Sequence, residues 1–246
     1  RACGALAVLL PEVDRLWGVP QRADYHPEID TGVHVMMVLD RAAALQAPLP
    51  VRWACLAHDL GKGSTPADVL PRHIGHEGRS VQLLKPLQQR LRVPSDCAEL
   101  ALAVAAEHGN IHRSEGFSPA AIVRLLERCD AFRKPARFAE LLLACQCDAQ
   151  GRLGLHEQPY PQRAALLAQL AAAQSVNTAE VAAEASRQGK KGAQIGAMVH
   201  EARVQAVAAA EATAARHGHA TVINTSQPPQ ILGAQANNGA KADDPP

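Results

Sequence analysis

Cys55-Leu56-Ala57-His58-Asp59-Leu60-Gly61-Lys62 closes an apolar helical stretch with an imidazole and a carboxylate side by side. Neighbouring residues on a helix point about 100° apart, so both side chains reach one ion only where the helix terminates. Gly61 and Gly63 supply that stop, and the segment Val51–Asp59 reads as a short buried helix. Working outward, seven of the eleven histidines fall between His26 and His112. His34 lies near the start of the preceding helical stretch, and Asp130 near the end of a later one. His34, His58, Asp59 and Asp130 make a set of two nitrogen and two oxygen donors with positions left for water and substrate. Such a mixed set suits Mn, Fe, Ni, Co or Mg, with no thiolate to demand zinc. A buried ion pair with capping histidines is the simpler alternative, but a polar cluster among alanine and leucine needs partners, and a cation satisfies all four.

The remaining composition points to helices. Of 246 residues, 48 are alanine and only seven are aromatic. Alanine is the best helix former, and strand-favouring aromatic residues are scarce. The expected class is therefore all-α, and a β-sandwich or barrel is excluded. A net charge of +1 gives no bulk basic character, so any contact with nucleic acid must be local. The six cysteines contain no Cys-x-x-Cys pair and sit mostly in apolar helical stretches, which suits a reducing cytoplasm. The longest purely apolar run, Leu100–Ala106, is far short of the roughly 18 residues that span a bilayer. No signal peptide is expected from this pattern, and a chain opening on Arg1 inside a helical pattern reads as a piece of something longer.

Start and stop signals divide the chain further. Ala2–Trp17 is helical and broken by Pro11, and Thr31 reads as the N-cap of a helix to about Leu45. Ser64–Gly78, with its prolines and glycines, reads as a loop. Helices are then expected over Arg79–Leu91 with a kink at Pro86, over Asp96–Glu107 closed by Gly109, and from Ser118-Pro119 to about Phe132. Further helices follow over Ala136–Ala149, Pro161–Gln174, Thr178–Gln188 and Gly192–Arg216. From His217 onward the Asn, Gln, Gly and Pro content predicts a disordered tail.

Several stretches together resemble one family. The order His34, His58-Asp59, Asp130 is similar to the HD superfamily of metal-dependent phosphohydrolases. Tyr25-His-Pro-Glu-Ile-Asp-Thr-Gly-Val-His34, Ala57-His-Asp-Leu-Gly-Lys-Gly63, Leu70-Pro-Arg-His-Ile-Gly-His-Glu77, Phe132-Arg-Lys-Pro135, Asp148-Ala-Gln-Gly-Arg152 and Gly189–Ile195 resemble the C-terminal HD region of bacterial multifunctional CCA proteins. These are tRNA nucleotidyltransferases of gamma- and betaproteobacterial type. The resemblance implies an HD helical bundle with phosphatase, 2′-nucleotidase and 2′,3′-cyclic phosphodiesterase activity, dependent on nickel or magnesium. It divides the chain into the end of a preceding neck region (1–20), the hydrolase domain (21–150), a helical extension (151–216) and the tail (217–246). It also implies a tRNA 3′ end or a phosphorylated nucleotide as partner, a cytoplasmic location, no membrane, and a homodimer among the assemblies to consider. The family's polymerase head, with its paired Asp-x-Asp carboxylates, has no counterpart here, so this chain alone is not expected to polymerise nucleotides.

The reading assigns His58, Asp59 and Lys62 to catalysis, Lys62 to balance phosphate charge. His73, His76, His108 and Arg72 are open between a second metal, as in some HD hydrolases, and phosphate contact, with a plain surface loop as the structural alternative. Arg124, Arg128, Arg133, Lys134 and Arg137 read as a solvated helix face before an RNA contact. His26, His112 and His156 have weaker claims, and His200, His217 and His219 almost none. Two other functions stay in view, a non-catalytic tRNA-binding or dimerisation module and a stand-alone HD hydrolase unrelated to CCA addition.

Overall fold

Side-chain caps mark where several helices begin. In the computed structural model, which describes residues 1–223 and side chains through 216, Asp30 caps the helix that carries His34, its carboxylate accepting from the Val33 amide at 2.9 Å. The cap is thus Asp30 and not the expected Thr31, whose hydroxyl instead donates to the Val19 carbonyl. Ser118 caps in the same way with Pro119 at the first helical position, as its sequence predicts.

The elements run α1 (Ala5–Leu9), α2 (Pro11–Asp14), α3 (Thr31–Ala44), α4 (Leu49–Ala57), a 3-10 turn at Leu60–Ser64, α5 (His76–Leu91) and α6 (Ser95–His112). After a second 3-10 turn at Ser114–Gly116 come α7 (Pro119–Arg128), α8 (Pro135–Gln150), α9 (Pro161–Gln174), α10 (Thr178–Arg187) and α11 (Ala193–Ile223). The all-α expectation holds: the described residues contain no strand, only an isolated bridge between Pro20 and Asp30. Arg1–Ala210 form one compact unit, and a second unit begins at Glu211. Helix α11 continues through Ile223, so residues 217–223 are helical where a disordered tail was expected; the rest of that expectation, over 224–246, lies outside the described residues. Among the described residues no helix is long and apolar enough to cross a membrane, and the six cysteines are free thiols.

Two boundaries moved in ways that matter for the site. Gly109 does not end α6. The helix continues to His112, because its inner face stays packed through Val104, Ala105, His108 and Ile111. Helix α5 begins at His76, which removes the last residues of the expected loop, and Pro86 is carried inside it. The centre of the bundle is α4, packed on α3, α6 and α8. Leu87, Leu100, Ile111, Leu125, Phe138 and Leu142 fill the surrounding core with no exposed surface. Burial of such side chains stabilises by about 1.5–3 kcal/mol each before the entropic cost is subtracted.

The 3-10 turn lies directly on the start of α5. The Gly61 amide donates to the Ser80 hydroxyl at 2.8 Å, and the Arg79 guanidinium donates to the Gly61 carbonyl at 3.1 Å. A methyl group at Gly61 would overlap the His76 carbonyl oxygen and the Ser80 amide, whereas one at Gly78 would meet nothing. Gly61→Ala should therefore lower stability by about 1–3 kcal/mol through overpacking, while Gly78→Ala, on the exposed side of α5, should raise it by up to about 1 kcal/mol. Thermal melts of the two variants would check this; similar melting temperatures would contradict the close approach.

Candidate metal centre

Helix α4 ends at Ala57, and His58 and Asp59 leave it pointing into the bundle, each 1% exposed. His34 comes from α3, His76 from the first turn of α5, His108 and His112 from α6 at a spacing of four, and Asp148 from the last turn of α8. That spacing on α6 places both histidines on one helical face. Lys62, in the 3-10 turn, lies 2.7 Å from Asp59 Oδ2 and donates to Gln21 Oε1.

Hydrogen bonds on the far nitrogens decide how the imidazoles are aimed. His58 Nδ1 donates to the Cys55 carbonyl at 2.8 Å, His76 Nδ1 to the His73 carbonyl at 2.9 Å, and His108 Nδ1 to the Val104 carbonyl at 3.0 Å. A carbonyl can only accept, so each of these Nδ1 atoms carries its hydrogen, and in a neutral ring Nε2 is a bare lone pair. His34 Nδ1 lies 2.8 Å from Glu28 Oε1. The four Nε2 atoms converge on two carboxylates. His34 Nε2 is 2.9 Å from Asp148 Oδ1, and His58 Nε2 is 3.1 Å from Asp59 Oδ2 and 3.7 Å from Asp148 Oδ1. His76 and His108 lie 3.3 and 3.7 Å from Asp59 Oδ1, and their Nε2 atoms are 3.2 Å apart.

Two lone pairs facing each other at that distance need a proton or a cation between them. Buried His58 Nε2 and Asp59 Oδ1 also lack a hydrogen-bond partner, a costly condition that a cation relieves. Donor atoms in two groups, His34–His58–Asp148 and Asp59–His76–His108, come close enough together to hold a metal ion each; a third, His26–Glu28–His34, shares His34. The residues present fit divalent cations with nitrogen and oxygen donors, and Asp59 lies between the first two groups, one oxygen toward each.

Without an ion, the carboxylates keep a second proton on His58, at Nε2, that a bound cation would displace. Burial opposes charge on His58, but Asp59 and Asp148 outweigh it and lift its pKa to about 9. Burial likewise works against ionised Asp59 and Asp148, yet the charge of His58, with Lys62 beside Asp59 and the hydrogen bonds of His112 and His34 to Asp148, holds both well below the usual carboxylate range. Burial lowers His108 to about 3 and His26 to about 4; burial and the charge of Lys62 lower His73 to about 4.

The expected site residues divide accordingly. His34, His58, Asp59, Lys62, His76 and His108 come together. Asp130 does not join them. It follows the end of α7 on the surface, where Arg133 holds both its oxygens at 2.6 and 2.9 Å. Asp148 takes the place expected for it. His73 is near but committed elsewhere, its Nε2 donating to the Pro20 carbonyl and its Nδ1 accepting from the Thr65 hydroxyl. Arg72 lines the cavity above the histidines. Arg128, Arg133, Lys134 and Arg137 pair with Glu107, Asp130 and Glu99, as befits a solvated face. Sequence reasoning passed over Glu28, Gln21 and Asp148. Glu28 and Asp148 both sit in stretches that carried the family resemblance, and that was the available signal. The cavity, about 680 Å³, is walled by Arg22, Arg72, Arg113 and Arg152 with Tyr25 and His112.

Comparisons with known proteins place these features. The HD domain family model matches residues 31–170. The chain is 71% identical over 214 residues to the Multifunctional CCA protein of Polaromonas naphthalenivorans, covering 87% of this chain and 50% of that protein. The same-named proteins of Acidovorax sp. (strain JS42) and Ralstonia nicotianae are 70% and 61% identical, over 85% of this chain and 49% and 48% of theirs. The chain thus spans about half the length of the curated relatives it matches. No solved structure matches.

The histidine pKa values set a pH dependence for the metal-free chain. His26, His73 and His108 hold folded pKa values of about 4, 4 and 3 against 6.5 unfolded. The unfolded chain takes up these protons first, so stability falls as pH drops from about 6.5 toward 4. His58 works the other way: its contribution is complete below 6.5 and disappears as pH rises through about 9. The melting temperature of ion-free protein should therefore peak between these limbs, near neutral pH. A flat profile from pH 4 to 9 would contradict these burials.

Proposed function

Since the chain belongs to the HD domain family of phosphohydrolases, we propose that it is the metal-dependent hydrolase part of a CCA-adding tRNA nucleotidyltransferase, acting on phosphoesters at RNA 3′ ends. The observation that carries this reading is the set of anchored imidazoles, whose Nε2 atoms meet two buried carboxylates beneath an arginine-walled cavity. In this reading His34, His58, Asp59 and Asp148 hold one divalent cation, and Asp59, His76 and His108 a second. Nickel or magnesium is the resident ion, with manganese, cobalt and iron compatible with the same donors. When bound, such ions polarise the phosphoryl oxygen and acidify water.

The chain's own residues do the rest. Lys62, held between Asp59 and Gln21, places a positive charge at the cavity floor and balances the charge that builds on the phosphoryl group. Arg72 and the other wall arginines take the remaining phosphates, for which their forked donors are suited. Asp59, lying between the two groups of donors, orients the attacking water. Water adds to phosphorus, the bond to one ribose oxygen breaks, and that oxygen takes up a proton. A 2′,3′-cyclic phosphate, a 2′-phosphate or another phosphomonoester meets these requirements. The relatives' printed name, with 21–150 as the hydrolase domain, 1–20 as the end of a neck and 151–216 as an extension, extends the reading to tRNA maturation and repair in the cytoplasm.

Ion-stripped chain resupplied with Ni²⁺, Mn²⁺ or Mg²⁺ should hydrolyse 2′,3′-cyclic AMP. Asp148→Asn should reduce turnover at least about 100-fold and weaken metal binding about 10–100-fold. Asp130→Asn should leave both within about twofold, because its carboxylate is engaged on the surface. No hydrolysis with any metal from folded protein would favour a non-catalytic tRNA-binding module, and equal effects of the two substitutions would refute the assignment of Asp148.

A further inference from the structure

We propose that Tyr160 and His112 form a positioning pair that selects which oxygen of Asp148 faces the ligand histidines. This rests on Asp148 being a metal ligand, as above. Three polar contacts run in line. The Tyr160 hydroxyl is 2.9 Å from His112 Nδ1, His112 Nε2 is 2.7 Å from Asp148 Oδ2, and the other oxygen, Oδ1, is 2.9 Å from His34 Nε2.

The direction of each bond follows from what each group can do. A carboxylate oxygen this close to a ring nitrogen accepts, so His112 Nε2 bears the hydrogen that reaches Oδ2. A neutral His112 then offers a lone pair at Nδ1, and the Tyr160 hydroxyl fills it as donor. Tyr160 remains a hydroxyl, since burial pushes its pKa up. The pair therefore holds one tautomer of His112. Lacking the Tyr160 donor, Nδ1 is left a lone pair with no partner there, and the ring is free to turn so that Nε2–H no longer reaches Oδ2.

The consequence is coordination control. With Oδ2 engaged by His112, Asp148 is left to ligate through Oδ1 alone. A single-oxygen carboxylate leaves more positions on the ion for water and phosphate than one gripping through both oxygens. His112 is accordingly neither a ligand nor a proton donor to substrate, although it lines the cavity. Tyr160 comes from outside α3–α8. It directly precedes Pro161, the first residue of α9, at the end of a segment tied to α8 by the Gln150 side chain, which donates to the Gln158 carbonyl at 2.7 Å. The extension beyond residue 150 thereby contributes a residue to the order of the metal centre.

The test pairs a spectroscopic measurement without metal with a binding measurement. Nitrogen-15 NMR of ion-free chain should show His112 with its hydrogen on Nε2, and Tyr160→Phe should shift and broaden the His112 ring signals as the hydrogen bond at Nδ1 is lost. Tyr160→Phe keeps the ring, so the melting temperature of ion-free protein should stay within about 2 °C of wild type, while affinity for Ni²⁺ or Mn²⁺ falls about 10–100-fold. In His112→Gln, where the amide still donates to Asp148 but no longer needs Tyr160, adding Tyr160→Phe should cost nothing further. Independent, multiplying losses in the double variant, an unchanged metal affinity in Tyr160→Phe, or an Nδ1–H tautomer in the wild type would each overturn the proposal. Wild-type protein that binds no metal, with the His112 signals still shifting in Tyr160→Phe, would defeat the metal reading and leave the positioning pair standing.

Discussion

An imidazole whose Nδ1 hydrogen is tied to a fixed carbonyl has only its Nε2 left to turn toward the interior of the bundle. That constraint, repeated in His58, His76 and His108 through the carbonyls of Cys55, His73 and Val104, is the one on which the centre depends. In each case the acceptor lies three or four residues earlier in the chain, so the backbone that carries the histidine also aims it. His34 differs, since Glu28 rather than a carbonyl faces its Nδ1. Carboxylates or carbonyls behind metal-ligating histidines are the usual outer support of such sites, because they set tautomer and ring orientation together.

The rest of the bundle can be understood as what keeps those nitrogens converging. Helix α4 delivers His58 and Asp59 at its end, and α3, α6 and α8 pack around it. The glycine at 61 lets the following turn settle on the start of α5, which brings His76 to the far oxygen of Asp59. A buried carboxylate is expensive unless it is paired. Asp59 meets that cost through His58 and Lys62 on one oxygen and two imidazoles around the other.

Much of this was readable from the chain, and the exceptions have specific causes. The alanine content and the Ser118-Pro119 signal foretold helices, and Pro161–Gln174 lies where its pattern places it. Gly109 misled because local propensity marks it as a stop, whereas packing of Val104, His108 and Ile111 carries α6 onward to His112. Asp130 misled for a related reason. Position along the chain suggested a ligand near a helix end, but α7 stops at Arg128 and the carboxylate turns to Arg133 instead.

The amino-acid sequence by itself determined the helical class, the presence of a His-Asp pair at a helix end, and the donor types that suit a divalent cation. Those properties depend on residue identity and short-range spacing, which are local. Tertiary structure alone decided which second aspartate lies beside the His-Asp pair, which histidines turn Nε2 toward the carboxylates, and that Tyr160 reaches His112. These depend on contacts between residues as far apart as His34 and Asp148, 114 positions along the chain. No periodicity encodes such a distance; only the packing of α3 against α8 brings the two side chains together.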